Sequence, residues 1–368
     1  MLRNINIEGY RGFDRLAIEG LKRVNLFVGR NNSGKSSVLE AAQIIASEGA
    51  IGGILSSLKR RGEIIPGNQA EGRTDEIDLP HLFHGHKIKL GSAFKLEGFN
   101  DRPVSITCEI STTSSNEARF PLLPGLDENE EDSAVGLNII VDGAIKTRLP
   151  LSAFGTLPVD WTRRRPGNGT GLLGGDTVSN RPVRVVPAEG LAPQSMSLLW
   201  DGVALTPEEP KLIEALQIIE PGIERIAFLA RETARPSAGI VVKLKDSDTR
   251  VPLGSLGDGV KRLLFLSLSA IHAACGYLII DELDTGLHYS VIDGMWRMLI
   301  TTAQRLDIQI FATTHSQDCV TALGRLHEDY PELAREVAVH RLEKGLAHSV
   351  CYEPGEISTA ALQEIEIR

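Results

Sequence analysis

The residues best suited to chemistry are residues 29–36, which read G-R-N-N-S-G-K-S. They fit G-x-x-x-x-G-K-[ST], a loop that wraps phosphate oxygens in backbone N–H groups. Gly29 and Gly34 let the chain curl so that those N–H groups face an anion, with Asn31, Asn32 and Ser33 completing the loop, and the helix start that follows also attracts negative charge. Lys35 is placed to reach β- and γ-phosphates, and Ser36 to offer its hydroxyl to Mg²⁺. The chemistry expected here is binding of a nucleoside triphosphate with its metal.

Three further constellations lie far downstream. Residues 277–282, Y-L-I-I-D-E, are an apolar run ending in two carboxylates. Asp281 can bind Mg²⁺ directly or through water, and Glu282 can polarise the water that attacks a γ-phosphate. Residues 311–316, F-A-T-T-H-S, end a second apolar run. His315 there can contact a γ-phosphate and report its presence. Residues 252–262, P-L-G-S-L-G-D-G-V-K-R, precede a helix. They admit two readings: a Gly-rich N-cap using Ser255 or Asp258, or an anion-binding helix start that presents Ser255 and Gly257 to a nucleotide held by another subunit. Each of the three is weak alone, since many strands end in acidic turns and a histidine at a strand end is usually structural. Their order after the phosphate loop gives them weight.

Positioning these groups requires strands that end beside the loop. Residues 24–28, V-N-L-F-V, read as a buried strand, and residues 37–45 have the apolar spacing of a helix running to about Ser47. Residues 2–7 and 16–18 read as further strands. Residues 49–80 are rich in Gly and charge and give no clear element. Strands are expected at 88–90, 93–96, 104–108, 137–141 and 145–149, the last two joined by the turn signal Asp142-Gly143. Residues 127–132, D-E-N-E-E-D, read as a solvated connector, and residues 155–182, with Arg163, Arg164 and Arg165, as a loop. A helix is expected at 207–220 and strands at 226–229 and 240–244. The last third alternates helix 260–274, strand 277–280, helix 291–305, strand 308–312 and helix 318–326. That alternation implies a largely parallel, covered sheet. Strand 337–342, a short strand near Val350 and helix 358–365 close the chain.

Composition narrows the class. Of 368 residues, 42% are hydrophobic and 24% charged, ordinary for a chain that buries a sizeable core, and about two domains are expected. A net charge of -9 argues against a generally basic nucleic-acid coat, though not against a local basic groove. Cys108, Cys275, Cys319 and Cys351 show no C-x-x-C spacing and read as reduced thiols. The N-terminus lacks a signal peptide's apolar core, and no run approaches the ~18 apolar residues of a membrane helix. The expected location is the cytoplasm, with no membrane partner.

The order of phosphate loop, signature, Walker B, D-loop and histidine switch resembles the ATP-binding-cassette (ABC) ATPases. The resemblance is to the branch containing RecF, the structural-maintenance-of-chromosomes (SMC) ATPases and the OLD-family AAA ATPases. It covers residues 1–48 and 250–320; the segment between matches only in layout. It implies an α/β P-loop NTPase fold, an ABC-type ATPase head with a mixed central sheet, an antiparallel β subdomain and a small helical signature subdomain. The implied division is 1–48 and 251–368 as the two parts of the ATPase core, with 49–250 as an inserted β-rich and helical lobe. The implied cofactors are ATP and Mg²⁺. By the same resemblance Gly29, Asn32, Gly34, Lys35, Ser36 and Ser37 hold phosphates and metal, and Asp281 serves the metal. Glu282 serves the water, Asp284 is the D-loop residue and His315 the switch, while Ser255 and Gly257 approach the nucleotide of a second copy. A Q-loop glutamine is expected before the signature, and Gln69 is its candidate by order alone.

The same resemblance frames the functional expectation. Two heads would close around two ATP molecules, and hydrolysis would release or license a partner in antiphage defence or DNA repair. A membrane-transporter ATPase is the alternative; the long segment between Lys35 and Ser255 and the S-L-G-D-G signature argue against it. No sustained heptad pattern predicts a coiled-coil arm. Residues 316–368 are too few for the Toprim nuclease domain of OLD nucleases. A nuclease effector is therefore expected as a separate protein, with direct DNA contact a further possibility.

Overall fold

The computed structural model describes residues 1–67, 75–100, 102–113, 134–152, 154–159, 181–190, 193–229, 239–245, 249–363, 365 and 367. Gln69, the acidic run 127–132 and Arg163 to Arg165 lie outside the described residues. The chain divides into two compact units. One comprises Met1–Arg3, Ile18–Leu39 and Asn180–Arg368, the other Asn4–Ala17 and Glu40–Ser179.

The first unit is built on a six-stranded sheet in the order Val183–Val186, Tyr277–Ile280, Gln309–Thr313, Val24–Val28, Val337–Arg341, Val350–Tyr352. All neighbours run parallel except the last pair. Val24–Val28 is buried along its whole length, as a strand covered on both faces must be. Its one polar residue, Asn25, is satisfied by donating to the carbonyls of Lys22 and Ile310 and accepting from the Lys22 N–H. Helices Lys35–Ala46, Asp258–Ile271, Tyr289–Arg305, Gln317–Asp329 and Pro354–Leu362 follow or flank these strands. The core joins the sheet's Leu26, Ile280 and Ala312 to Leu264, Trp296 and Leu323 of the helices. An antiparallel sheet of Ile223–Phe228, Ile240–Leu244 and Arg250–Pro252 leads into the helix Asp258–Ile271.

The second unit holds a six-stranded sheet ordered Phe13–Ile18, Asn4–Tyr10, Ala93–Phe99, Val104–Thr113, Ala134–Val141, Ala144–Pro150. The Asp142-Gly143 turn joins the last two strands with φ of 50° and 83°, the positive values a two-residue hairpin demands. A three-stranded sheet of Thr156–Pro158, Glu76–Asp78 and Ile64–Ile65 completes it. Both sheets' assigned pairings are antiparallel.

Some expectations need correction. Residues 88–90 are not a strand: Lys89 N–H bonds the Ser92 hydroxyl, forming a turn that feeds Ala93–Phe99. Residues 51–60, expected to carry no clear element, form the helix Ile51–Arg60, because Ile54, Leu55 and Leu58 bury one face and offset the cost of Gly52 and Gly53. Val183–Val186 and Pro193–Asp201 are an unexpected strand and helix.

Candidate active site

Every residue of the expected site that carries an assigned role lies in the first unit. Parallel register pairs Ile280 with Ala312 and Thr313 with Phe27, so three strands end at one level. Residues 29–36, 281–284 and 313–315 therefore emerge along one carboxyl edge, where open α/β sheets bind ligands.

The loop itself is tightly formed. Gly29 has φ of 142°, Asn32 61° and Gly34 97°. A methyl on Gly29 would lie 2.4 Å from the Leu342 carbonyl oxygen, so only glycine fits there. Lys35, 5% exposed, donates from Nζ to the carbonyls of Gly29 (2.7 Å) and Arg30 (2.9 Å). Burial lowers the pKa of Lys35, opposed by the carboxylates of Asp281 and Glu282. The Ser33 hydroxyl is buried with no hydrogen-bond partner among the described residues. Such an orphaned donor in a glycine loop at the start of helix Lys35–Ala46 fits an anionic ligand.

The carboxylates meet the loop. Asp281 Oδ1 accepts from Ser36 Oγ at 3.4 Å and from Thr313 Oγ1 at 2.6 Å. A carboxylate beside a serine hydroxyl is a hard oxygen set suited to Mg²⁺. The Thr313 hydroxyl also accepts from the Glu282 N–H at 2.9 Å. Glu282 has φ of 47°, a left-handed conformation costly for a side chain with a Cβ, and its Oε2 accepts from Thr285 Oγ1 at 3.1 Å. Asp284 Oδ1 accepts from Thr314 Oγ1 at 2.5 Å, and the Thr314 hydroxyl accepts from the Ser316 N–H at 2.9 Å. His315, between them, is exposed.

Ser255, Gly257 and Asp258 are also exposed, at the start of helix Asp258–Ile271. Gly257 occupies the N-cap with no side-chain cap, so neither Ser255 nor Asp258 caps the helix; Asp258 instead pairs with Lys261 at 2.8 Å. Thr313, Thr314 and Arg262 carry no role expected from the sequence. All three stand inside the motifs quoted above, and a pair of hydroxyls ending an apolar strand was the available signal.

Two family models match the chain. One is described as "AAA ATPase domain" and matches residues 1–117; the other, "AAA domain, putative AbiEii toxin, Type IV TA system", matches residues 208–318. A Helicobacter pylori protein named ATP/GTP phosphatase is 21% identical over 89% of this chain and 88% of its own length. An SMC head bound to the C-winged helix domain of ScpA is similar in structure, with a TM-score of 0.52 at 11% identity over 97% of this chain and 99% of that one. An SMC head with an extended coiled coil, bound to the C-terminal domain of ScpA derived from Pyrococcus furiosus, has a TM-score of 0.50 at 10% identity over 99% of both chains. The fold is that of an SMC head, and the two family models with the Helicobacter pylori relative support a P-loop ATPase.

Proposed function

We propose that this P-loop ATPase binds Mg·ATP in residues 29–36 and hydrolyses it with Glu282 orienting the attacking water. The observation that carries the reading is one oxygen, Asp281 Oδ1, approached by the Ser36 hydroxyl from the loop and by the Thr313 hydroxyl from the adjacent strand. Ser36 and Asp281 would hold Mg²⁺, which when bound neutralises phosphate charge. The amides of Gly29, Asn31, Asn32, Ser33, Gly34 and Ser37 hold the phosphates, and Lys35 adds its ammonium. Thr313 orients Asp281, Asp284 lies in the D-loop, and His315 reads the γ-phosphate.

The site is completed by a second copy. Ser255 and Gly257, exposed at a helix start, present N–H and hydroxyl donors to the partner's nucleotide. ATP thereby draws two heads together, and hydrolysis releases a separate effector protein, a nuclease, in antiphage defence or DNA repair within the cytoplasm. Solved heads of this fold bound to ScpA domains support the use of a protein partner. The toxin–antitoxin description of one family model supports defence over repair.

Two variants test the reading. Glu282→Gln lowers turnover about 100-fold or more, the usual worth of a positioned base. It keeps ATP bound and accumulates as a dimer on sizing chromatography. Turnover at the parental rate would remove Glu282 from its role. Ser255→Arg stays monomeric with ATP, and a dimer of that variant would overturn the two-copy site. Affinity purification from the native host identifies the effector, and recovery of a permease instead of a nuclease would overturn that assignment.

A further inference from the structure

Arg262 lies in the second turn of helix Asp258–Ile271, 4% exposed. A cation buried so deeply is costly unless its donors are matched. Here three of the four acceptors are backbone oxygens of the segment that carries the carboxylates. Nη2 donates to the carbonyls of Asp281 at 2.8 Å and Glu282 at 2.6 Å, Nη1 to that of Pro187 at 2.9 Å, and Nε to that of Leu283 at 3.4 Å. The planar, forked guanidinium can span four such acceptors; a lysine ammonium cannot.

Glu282 is the residue under strain in this segment, with its φ of 47°. A non-glycine residue in that region persists only where its surroundings over-determine it. Its N–H is held by the Thr313 hydroxyl and its C=O by Arg262. The flanking peptides are also tied, Asp281 N–H to the Val186 carbonyl and Leu283 N–H to the Thr313 carbonyl, both at 2.9 Å. A second contact seats the same helix on the same segment: a methyl on Gly259 would lie 3.2 Å from the Gly286 carbonyl oxygen. The first two turns of the helix thus press on residues 281–286 at two separate points.

We infer that Arg262 is a positioning residue for Glu282: it holds the left-handed turn that aims the Glu282 carboxylate, and it ties that turn to the helix whose start carries Ser255 and Gly257. The inference rests on the reading of Glu282 as the group that orients water. A shift of the helix start is then passed through Arg262 to the Glu282 carbonyl. Engagement of the signature segment by a second copy would in this way set hydrolysis in the same chain.

The test compares Arg262→Lys and Arg262→Gln with Glu282→Gln in the full-length protein. Both keep a polar side chain, and Arg262→Lys keeps the charge. The readouts are kcat, KM, ATP affinity by fluorescent-analogue titration, and Tm. Arg262→Lys should lower kcat about tenfold or more while ATP affinity stays within about twofold, the split of a residue acting after binding. In the Glu282→Gln background, Arg262→Lys should lower kcat no further, because residues acting as one unit are non-additive. A merely structural arginine would instead lower Tm and multiply the Glu282→Gln loss, and that result overturns the inference. So does parental kcat in Arg262→Lys beside a slow Glu282→Gln. If Glu282→Gln itself turns over at the parental rate, the underlying reading of Glu282 fails, and the inference with it. Should Arg262→Lys not fold, Arg262→Gln is read by the same criteria.

Discussion

His340 belongs to no motif, yet its burial makes stability depend on pH. It is fully buried on strand Val337–Arg341, its ring centroid 5.4 Å from that of Phe27, and neither ring nitrogen has a hydrogen-bond partner among the described residues. Burial pushes its pKa from 6.5 down to about 4. The folded protein therefore holds His340 neutral where the unfolded chain would protonate it. Stability present above pH 6.5 is lost as pH falls toward 4, by at most about 3 kcal/mol from this residue. His340→Phe keeps the stack and removes the proton site. Urea unfolding of the two proteins across that range should show the parental curve falling more steeply, and parallel curves would refute it. At this scale the motif residues were legible and their supports were not. Asp281 and Glu282 stood out because an apolar run ended in them. Thr313 and Arg262 did not, because each partners an element that only strand order or helix packing brings near.

Elements were legible where burial leaves an uninterrupted apolar run. Val24–Val28 and Tyr277–Ile280 have the bounds expected from sequence. Ile51–Arg60 was obscured because Gly52 and Gly53 weaken local helix propensity while tertiary burial supplies the stability. Helix packing adds constraints of its own. A methyl on Gly324 of helix Gln317–Asp329 would lie 2.5 Å from Ala361 Cβ and 3.3 Å from the Ile357 carbonyl oxygen of helix Pro354–Leu362. Glycine there permits a close approach that no side chain allows. Gly324→Leu should push the C-terminal helix away and cost about 1–3 kcal/mol, the usual range for overpacking. Calorimetry should show a lower Tm, and an unchanged Tm would mean the two helices pack with slack.

At the scale of the whole molecule, nucleotide binding is read as stability. A ligand that binds only the folded chain, present at about 100 times its Kd, adds ~2.7 kcal/mol. Mg·ATP should therefore raise the parental Tm, and the gain should vanish in Lys35→Ala. A gain of the same size in that variant would place the nucleotide elsewhere. The loop of residues 29–36, the apolar strands and the order of the motifs follow from residue types at fixed local spacing. Such signals survive without any fold, because phosphate-binding amides and buried strands impose local demands. Strand order does not follow from local spacing. Gln309–Thr313 lies between Val24–Val28 and Tyr277–Ile280, and that placement sets Thr313 against Asp281. The same holds for helix Asp258–Ile271, whose packing presses Arg262 onto the Glu282 carbonyl. Long-range packing makes these pairings, since a hydroxyl or guanidinium takes whichever acceptor the folded chain places within reach.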